Sequence, residues 1–478
     1  MELETANCNL ESETKEKHMS ERLTENKMGV MPVGKLLFNM ALPMVISMLV
    51  QALYNVVDSI YISRVSENAV TALSLAFPIQ NLQIGCAVGI GVGVNALLSK
   101  SLGERNQEMT NYAAGNGLFL ALVCTVAFML FGFFGVRPYY EMQNTSVATA
   151  EAGIAYSGIC CILTLGVYLS ILFERLLQAT GRTLHTMFTQ GAGALTNILM
   201  DPVFIFGVEW LGIPAMGAAG AAVATVLGQF VSAGMAIAFN FKFNPDVKLA
   251  LKYVKPNRAA IRPILTVGVP AAIMNGIGSV TNFTMNQILL GFKAVGETAS
   301  GVFGIYFKLQ SFFFMPLFGL NNASISIIAY NYGARKPERI MRTLKVAFCA
   351  AFSFMVCGKL AFHLAPDLLL NMFNPSESFM EIGIQALRAI SWHFPVAAFC
   401  IVTISSFQAM GNGLYATIVS MCRQLVALLP AAYLLGLSGN VNDVWWSFII
   451  AEAVSATVCA IFFLRIYKNK VKPLYDQE

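Results

Sequence analysis

Charge is what this sequence has least of. Asp, Glu, Lys and Arg together make up 12% of its 478 residues, against 56% hydrophobic ones, and the mean hydropathy is +0.63. A soluble domain carries about twice that charge, so a soluble enzyme or a nucleic-acid binder is excluded. There is no GxxxxGK[ST] phosphate loop, since Gly34-Lys35 and Gly358-Lys359 are each followed by Leu. Nucleotide hydrolysis therefore has no cradle. Histidine occurs four times, and the ten cysteines show no CxxC or Cys/His ligand spacing. Cys160-Cys161, Cys349, Cys357, Cys400 and Cys459 sit in apolar runs and read as small hydrophobes. No nucleophile motif or soluble acid/base pair is present, so no catalytic residue is assigned and the chain is not read as an enzyme. The first thirty or so residues lack an apolar core and read as neither signal peptide nor span.

What the sequence does have is long apolar windows, repeated about twelve times and each able to cross a ~30 Å hydrocarbon core as a helix. The fold class is an all-α polytopic membrane protein with the lipid bilayer as its solvent. The expected spans are 36–63, 69–98, 110–134, 152–180, 184–207, 217–241, 262–291, 297–329, 340–365, 381–411, 414–436 and 443–467. Connections rich in Lys and Arg alternate with acidic ones. Lys100 and Arg105, Arg175 and Arg182, the run from Lys242 to Arg262, Arg335 to Lys345 and the tail from Arg465 fall on one side. By the positive-inside rule both termini are cytoplasmic and the chain is a multi-pass protein of the cell (inner) membrane.

The halves repeat at an offset of about 227 to 230 residues. Leu42-Pro43 matches Val269-Pro270, Gly103-Glu104-Arg105 matches Gly333-Ala334-Arg335, Gln178-Ala179-Thr180-Gly181 matches Gln408-Ala409-Met410-Gly411, and Pro202 falls on Pro430. Six spans per half keep both halves in one orientation, which predicts two lobes related by a pseudo-two-fold axis along the membrane normal with a substrate cavity between them. The expected organisation is a disordered cytoplasmic tail over 1–34, lobes over 35–241 and 262–468, an inter-lobe loop over 242–261 and a tail over 469–478.

Two acids interrupt the apolar runs of the first lobe. Asp58 follows Tyr54-Asn55, and Asp201 lies between Asn197 and Pro202. An acid inside a span costs at least ~2.5 kcal/mol on insertion scales and by default marks an ion path. Asn197 and Asp201 stand four apart, on one helix face. Pro202 removes a donor and frees the Ile198 carbonyl. At 1.5 Å per residue both acids lie ~8 Å below the outer boundary, with Thr225 ~12 Å down on the sixth span. Two nearby carboxylates in a low dielectric retain a proton or hold a cation. Asp58, Asn197, Asp201, Asn55, Thr225 and Tyr54 are therefore the candidate ion or proton site, a sodium ion at Asp58, Asn197 and Asp201 being one occupant. Pro43 offers a bending point in the same helix as Asp58. The second lobe lacks both acids and instead carries Lys308, Arg388 and Arg423, which with Glu174 line the cavity or simply pair. Glu452 is open to the same two readings, and His393 beside Trp392 reads as packing. The glycines at 85, 89, 91 and 93 and at 212, 217 and 220 read as close-packing surfaces.

These motifs, from Leu42-Pro43 through Tyr54-Asn55-Val56-Val57-Asp58 to Asn197-Ile198-Leu199-Met200-Asp201-Pro202, resemble those of the multidrug and toxic compound extrusion (MATE) transporters. The chain is closer to their DinF-like and MepA-like branch than to the NorM-like one, whose acids of the seventh and tenth spans it lacks. The resemblance implies efflux of small amphipathic drugs or toxic metabolites in exchange for H+ or Na+, antibiotic resistance, and no cofactor beyond the coupling ion. It also implies that Pro43 bends the first helix. Nucleic acid is not an expected partner and a monomer is the expected working unit. The alternative is a flippase for a lipid-linked oligosaccharide or cell-wall precursor, from the same superfamily.

Overall fold

The computed structural model describes residues 26–143, 146–208, 212–293, 295–373 and 376–476; the side chains at 55, 56, 59, 63, 67 and 70 lie outside that description. Among the described residues the fold is all helix, apart from one antiparallel bridge between Val208 and Ile213. The first repeat comprises α1 (Lys27–Val30), α2 (Val33–Ser63), α3 (Glu67–Gly103), α4 (Gln107–Phe134), α5 (Val136–Glu141), α6 (Val147–Ile162), α7 (Leu165–Ala179), α8 (Thr183–Phe206) and α9 (Ala218–Phe243). After the short α10 (Leu251–Val254), the second repeat runs through α11 (Arg258–Leu290), α12 (Gly296–Gly333), α13 (Pro337–Leu364), α14 (Pro366–Asn371), α15 (Glu377–Ile390), α16 (Phe394–Ala409), α17 (Gly413–Met421), α18 (Leu429–Gly436), α19 (Val441–Val444), α20 (Ser447–Ile466) and the terminal α21 (Lys472–Tyr475).

Ten of these helical stretches are long and apolar enough to cross a membrane, and an eleventh span is the pair α6 and α7, bent by 46°. The twelfth is α8, whose sequence is diluted by Gln190, Thr196, Asn197 and Asp201. The least apolar span is thus the one that carries Asp201.

The repeat holds down to single dihedrals. Arg105 and Arg335, 230 residues apart, are non-glycine residues with positive φ, at 57° and 55°. Gly181 and Gly411, again 230 apart, take φ of 82° and 77°. The turns close identically: Asn106 N–H donates to the Ser101 carbonyl and Lys336 N–H to Asn331, both at 2.9 Å, while Arg182 N–H to Leu177 and Asn412 N–H to Phe407 both measure 2.7 Å. Spans alternate in direction, so the basic turns between even and odd spans gather at one end of the molecule. Arg175 is the exception to the charge reading. It is buried in α7, donating to Gln178 Oε1 at 2.9 Å, and does not belong to a connection.

The lobes meet along α3. A Cβ on Gly89 would stand 2.5 Å from the Gly268 carbonyl, and one on Gly103 2.0 Å from that of Tyr330, so bare backbone lets α3 press against α11 and α12. Asn95 Oδ1 accepts from Ser326 Oγ across the same seam at 3.0 Å. The glycine reading therefore holds for 89 and 93. It fails for Gly212 and Gly217, which are turn residues with φ of 68° and 54°.

The reading of 1–34 as a disordered tail is corrected for its last residues; 1–25 lie outside those described. Met28 on α1 is fully buried, and this segment is tied to both lobes. Asn26 Nδ2 donates to the Thr180 carbonyl at 3.1 Å in the first lobe. From the second lobe, Arg339 Nη2 donates to the Met28 and Met31 carbonyls at 3.0 and 2.7 Å, and Lys336 Nζ to that of Gly29 at 3.1 Å. An apolar side chain and a row of cations on carbonyls order this stretch where composition alone reads as polar tail.

Candidate functional site in the first lobe

The site is built from α2, α8 and α9. Gly193 on α8 faces Gly228 on α9, where a Cβ on the latter would lie 2.6 Å from the Gly193 carbonyl. With no side chains between them the two helices close, and one turn further on Asn197 Nδ2 reaches Thr225 Oγ1 at 3.3 Å. The same amide donates to Asp201 Oδ1 at 3.4 Å, as four-residue spacing on one helix requires. Pro202 continues α8 but cannot donate, leaving the Ile198 carbonyl unclaimed by the helix. Beyond it, Met216 and Gly217 N–H donate to the Phe204 and Ile205 carbonyls, tying α8 to the start of α9.

Asp201 is fully buried and Asn197 nearly so, while Asp58 on α2 is half-buried and close enough to interact electrostatically with Asp201. Three oxygens here have no hydrogen-bond partner: Asp58 Oδ1, Asn197 Oδ1 and Asp201 Oδ2. A buried acceptor without a donor costs roughly 1–3 kcal/mol, more when charged, so three such oxygens on α2 and α8 are unusual for a packed interior. The donor set is all oxygen, carboxylate and amide, which suits a proton or a hard monovalent cation. Among the described residues no group of three His, Cys, Asp or Glu is arranged to hold a metal.

A cavity of about 130 Å³ extends from this site into the lobe, lined by Tyr54, Gln51, Asn197, Thr225, Ser232 and Glu174 among others. It lies within the first lobe; another cavity, of about 400 Å³, opens between the lobes at the basic end, lined by Lys100, Glu104, Tyr332, Gly333 and Arg335 among others. Glu174 closes one end, its Oε1 accepting from Thr189 (3.0 Å) and Ser232 (2.9 Å) and its Oε2 from Gln190 (2.7 Å). Tyr54, Asn197, Thr225 and Glu174 thus share one cavity; Asp201 is linked to it through its bond with Asn197, neither Asp58 nor Asp201 lines it, and the Asn55 side chain lies outside those described.

Pro43 and Pro202 both sit inside their helices. The carbonyl that Pro43 leaves without a donor, Asn39 O, accepts from Thr183 Oγ1 at the start of α8 at 3.4 Å, so the weak point of α2 is linked to the acid-bearing helix. Of the four residues expected to share a cavity, only Glu174 lines this one. Lys308 and Arg388 are exposed in the second lobe, and Arg423 pairs with Glu452 at 3.6 Å. His393 packs as expected, buried against the Phe314, Phe394 and Phe448 rings, and also makes polar contacts: Nδ1 lies 3.6 Å from Glu452 Oε2, and Nε2 is 3.1 Å from the Tyr306 hydroxyl. The signal available in the sequence was an ionisable residue inside a span on each of two helices of one repeat.

The fold and sequence have known counterparts. The multidrug export protein MepA of Staphylococcus saprophyticus is 24% identical over 431 residues, covering 90% of this chain and 92% of that protein. MepA of Staphylococcus aureus (strain NCTC 8325 / PS 47) is 24% identical over 442 residues, covering 91% and 94%. These relatives carry the name of the branch expected from the motifs. Among solved structures, a MATE protein crystallised with MaL6 superposes with a TM-score of 0.87 at 24% identity, covering 95% of this chain and all of that one. An outward-facing multidrug resistance MATE transporter of the MOP superfamily gives 0.87 over 95% and 99% at the same identity. The MatE family model matches residues 43–203 and 270–434, one segment in each repeat, and with more than half the chain inside that match the protein belongs to the MatE family.

Proposed function

We propose that this chain is a cation-coupled antiporter that exports amphipathic drugs or toxic metabolites across the cell membrane by alternating access, using inward H+ or Na+. The observation that carries the reading is the convergence of three unpartnered buried oxygens, Asp58 Oδ1, Asn197 Oδ1 and Asp201 Oδ2. An empty site leaves two carboxylates facing each other in a low dielectric; an occupied one relieves both the repulsion and the missing bonds. Uptake therefore favours the arrangement in which α2 and α8 are drawn together. Pro43 lets α2 bend as that happens, giving a two-state element biased by the ion. In this reading Tyr54 lines the approach, Asn197 and Thr225 orient the acceptors, and Pro202 leaves the Ile198 carbonyl available.

The relatives' names, multidrug export proteins, support drugs as the substrate class. The basic end that carries residues 100–105, 335–345 and the α1 segment is read as cytoplasmic, with both termini there and a monomer as the working unit. The flippase alternative draws no support from the oxygen-lined, acidic first-lobe site.

The deciding experiment is efflux of ethidium or a fluoroquinolone from an efflux-deficient bacterial host expressing wild type, Asp58→Asn or Asp201→Asn at matched levels, with the proton and sodium gradients collapsed separately. Wild-type export that either substitution abolishes supports the site, and the gradient whose loss stops export names the ion. Undiminished export by both variants would make the acids structural and sink the mechanism.

A further inference from the structure

The second lobe holds a buried polar cluster that the first-lobe mechanism does not use. Glu452 on α20 is 2% exposed and His393 4%. His393 sits in a 3-10 turn, Ser391–His393, that joins α15 to α16. Arg423 lies in the π-helical turn Cys422–Leu428 between α17 and α18, the kind of local widening that often accompanies a functional site. Arg423 Nη1 and His393 Nδ1 each stand 3.6 Å from the same atom, Glu452 Oε2. At 3.6 Å neither contact is a hydrogen bond, and His393 Nδ1 and the other carboxylate oxygen, Glu452 Oε1, are both without a hydrogen-bond partner. One carboxylate is shared, incompletely, between a permanent cation and an imidazole.

We propose that the second lobe has a proton-binding site of its own, in which His393 takes up a proton and competes with Arg423 for the Glu452 carboxylate. With His393 neutral, the Arg423–Glu452 pair balances and the cluster carries no net charge. Protonation makes it +1 and gives Glu452 a second cation to bond. Imidazole is the side chain whose ordinary range makes such a change available near neutral pH. Arg423, whose side chain is 30% exposed, is the member free to move away. The cluster also bridges the fifth and sixth spans of its repeat, as the Asn197–Thr225 bond does in the first, so both lobes respond to charge at the same pair of helices.

The groups that face His393 come from three neighbouring helices. From α12 it meets the Tyr306 hydroxyl and the Phe314 ring, from α20 Glu452 and the Phe448 ring. Cys400 on α16 lies beside Glu452, and Cys459 on α20 lies beside Cys400; both are buried. On α13, Lys359 Nζ stands 3.2 Å over the Trp392 ring and His363 also packs against that ring, so neither faces His393. Arg388 donates to the His363 carbonyl and is exposed.

The test uses the full chain in lipid nanodiscs with ring-labelled histidine. Replacing the other three histidines, His18→Gln, His185→Gln and His363→Gln, leaves His393 as the sole imidazole in wild-type surroundings, and no transport assay is needed. The expected result is a chemical-shift change that reports proton uptake between about pH 5 and 8.5 and that is displaced or lost in Glu452→Gln. A constant signal through that window overturns the proposal, as does a titration that Glu452→Gln leaves in place. Because only protonation is read, failure here is separable from failure of the efflux reading.

Discussion

At the residue scale the chemistry depends on what holds a single amide. Asn197 is fixed by two donated bonds, to Asp201 and Thr225, so its carbonyl oxygen is left facing the space it shares with the acids. Thr225→Val keeps the volume and removes one of those acceptors. A neutral hydrogen bond nets ~0.5–1.5 kcal/mol, so the apparent affinity for the coupling ion should fall roughly 2- to 10-fold. Efflux measured against pH or sodium concentration checks this; an unchanged dependence would remove Thr225 from the site. Asp201→Asn, by contrast, removes the charge and should abolish coupled efflux outright.

Helix pairing and helix bending act at the scale of elements. α8 and α9 approach because Gly193 and Gly228 offer backbone to backbone, and the site one turn away inherits that spacing. Gly228→Ala puts a methyl 2.6 Å from a backbone oxygen that cannot swing aside. Overpacking of this kind costs ~1–3 kcal/mol, so a lower thermal midpoint in detergent is expected together with reduced efflux. Gly234→Ala, on the same helix with open space around it, should leave both unchanged. Pro43→Ala restores a donor for Asn39 O, displacing the Thr183 bond. The straighter α2 should be at least as stable while exporting more slowly, a combination that thermal unfolding and efflux rates separate from simple misfolding. Sequence made Pro43 and Pro202 visible, since proline inside an apolar run is a local signal. It did not show Thr183 as the partner, because that contact joins residues 144 positions apart.

The whole molecule is closed at its basic end by α1, which each lobe holds. Arg339→Gln removes charge-assisted bonds to two α1 carbonyls. At ~1.5–3 kcal/mol for a bond to a charged group, opening of this segment should rise ~10- to 100-fold, read as faster amide hydrogen exchange over residues 28–31. Exchange at the wild-type rate would show that the segment is held by Met28 burial alone.

Span number, the repeat and the identity of Asp58 and Asp201 as the unusual residues were determined by the sequence itself. Each is local or periodic: a window of apolar residues, a recurrence at one offset, an acid where lipid forbids one. The matched positive φ of Arg105 and Arg335 shows how far that periodicity reached into the backbone. Tertiary structure alone decided which polar groups face one another. It gave Glu174 a cavity inside the first lobe that Lys308, Arg388 and Arg423 do not line, ordered α1, and set His393, packed among aromatic rings, beside a buried carboxylate. Those outcomes rest on helix rotation and on contacts between distant segments. A side chain's partner across a helix seam is set by the packing of bare glycine backbone and by the burial of unmatched charge, neither of which has a period along the chain.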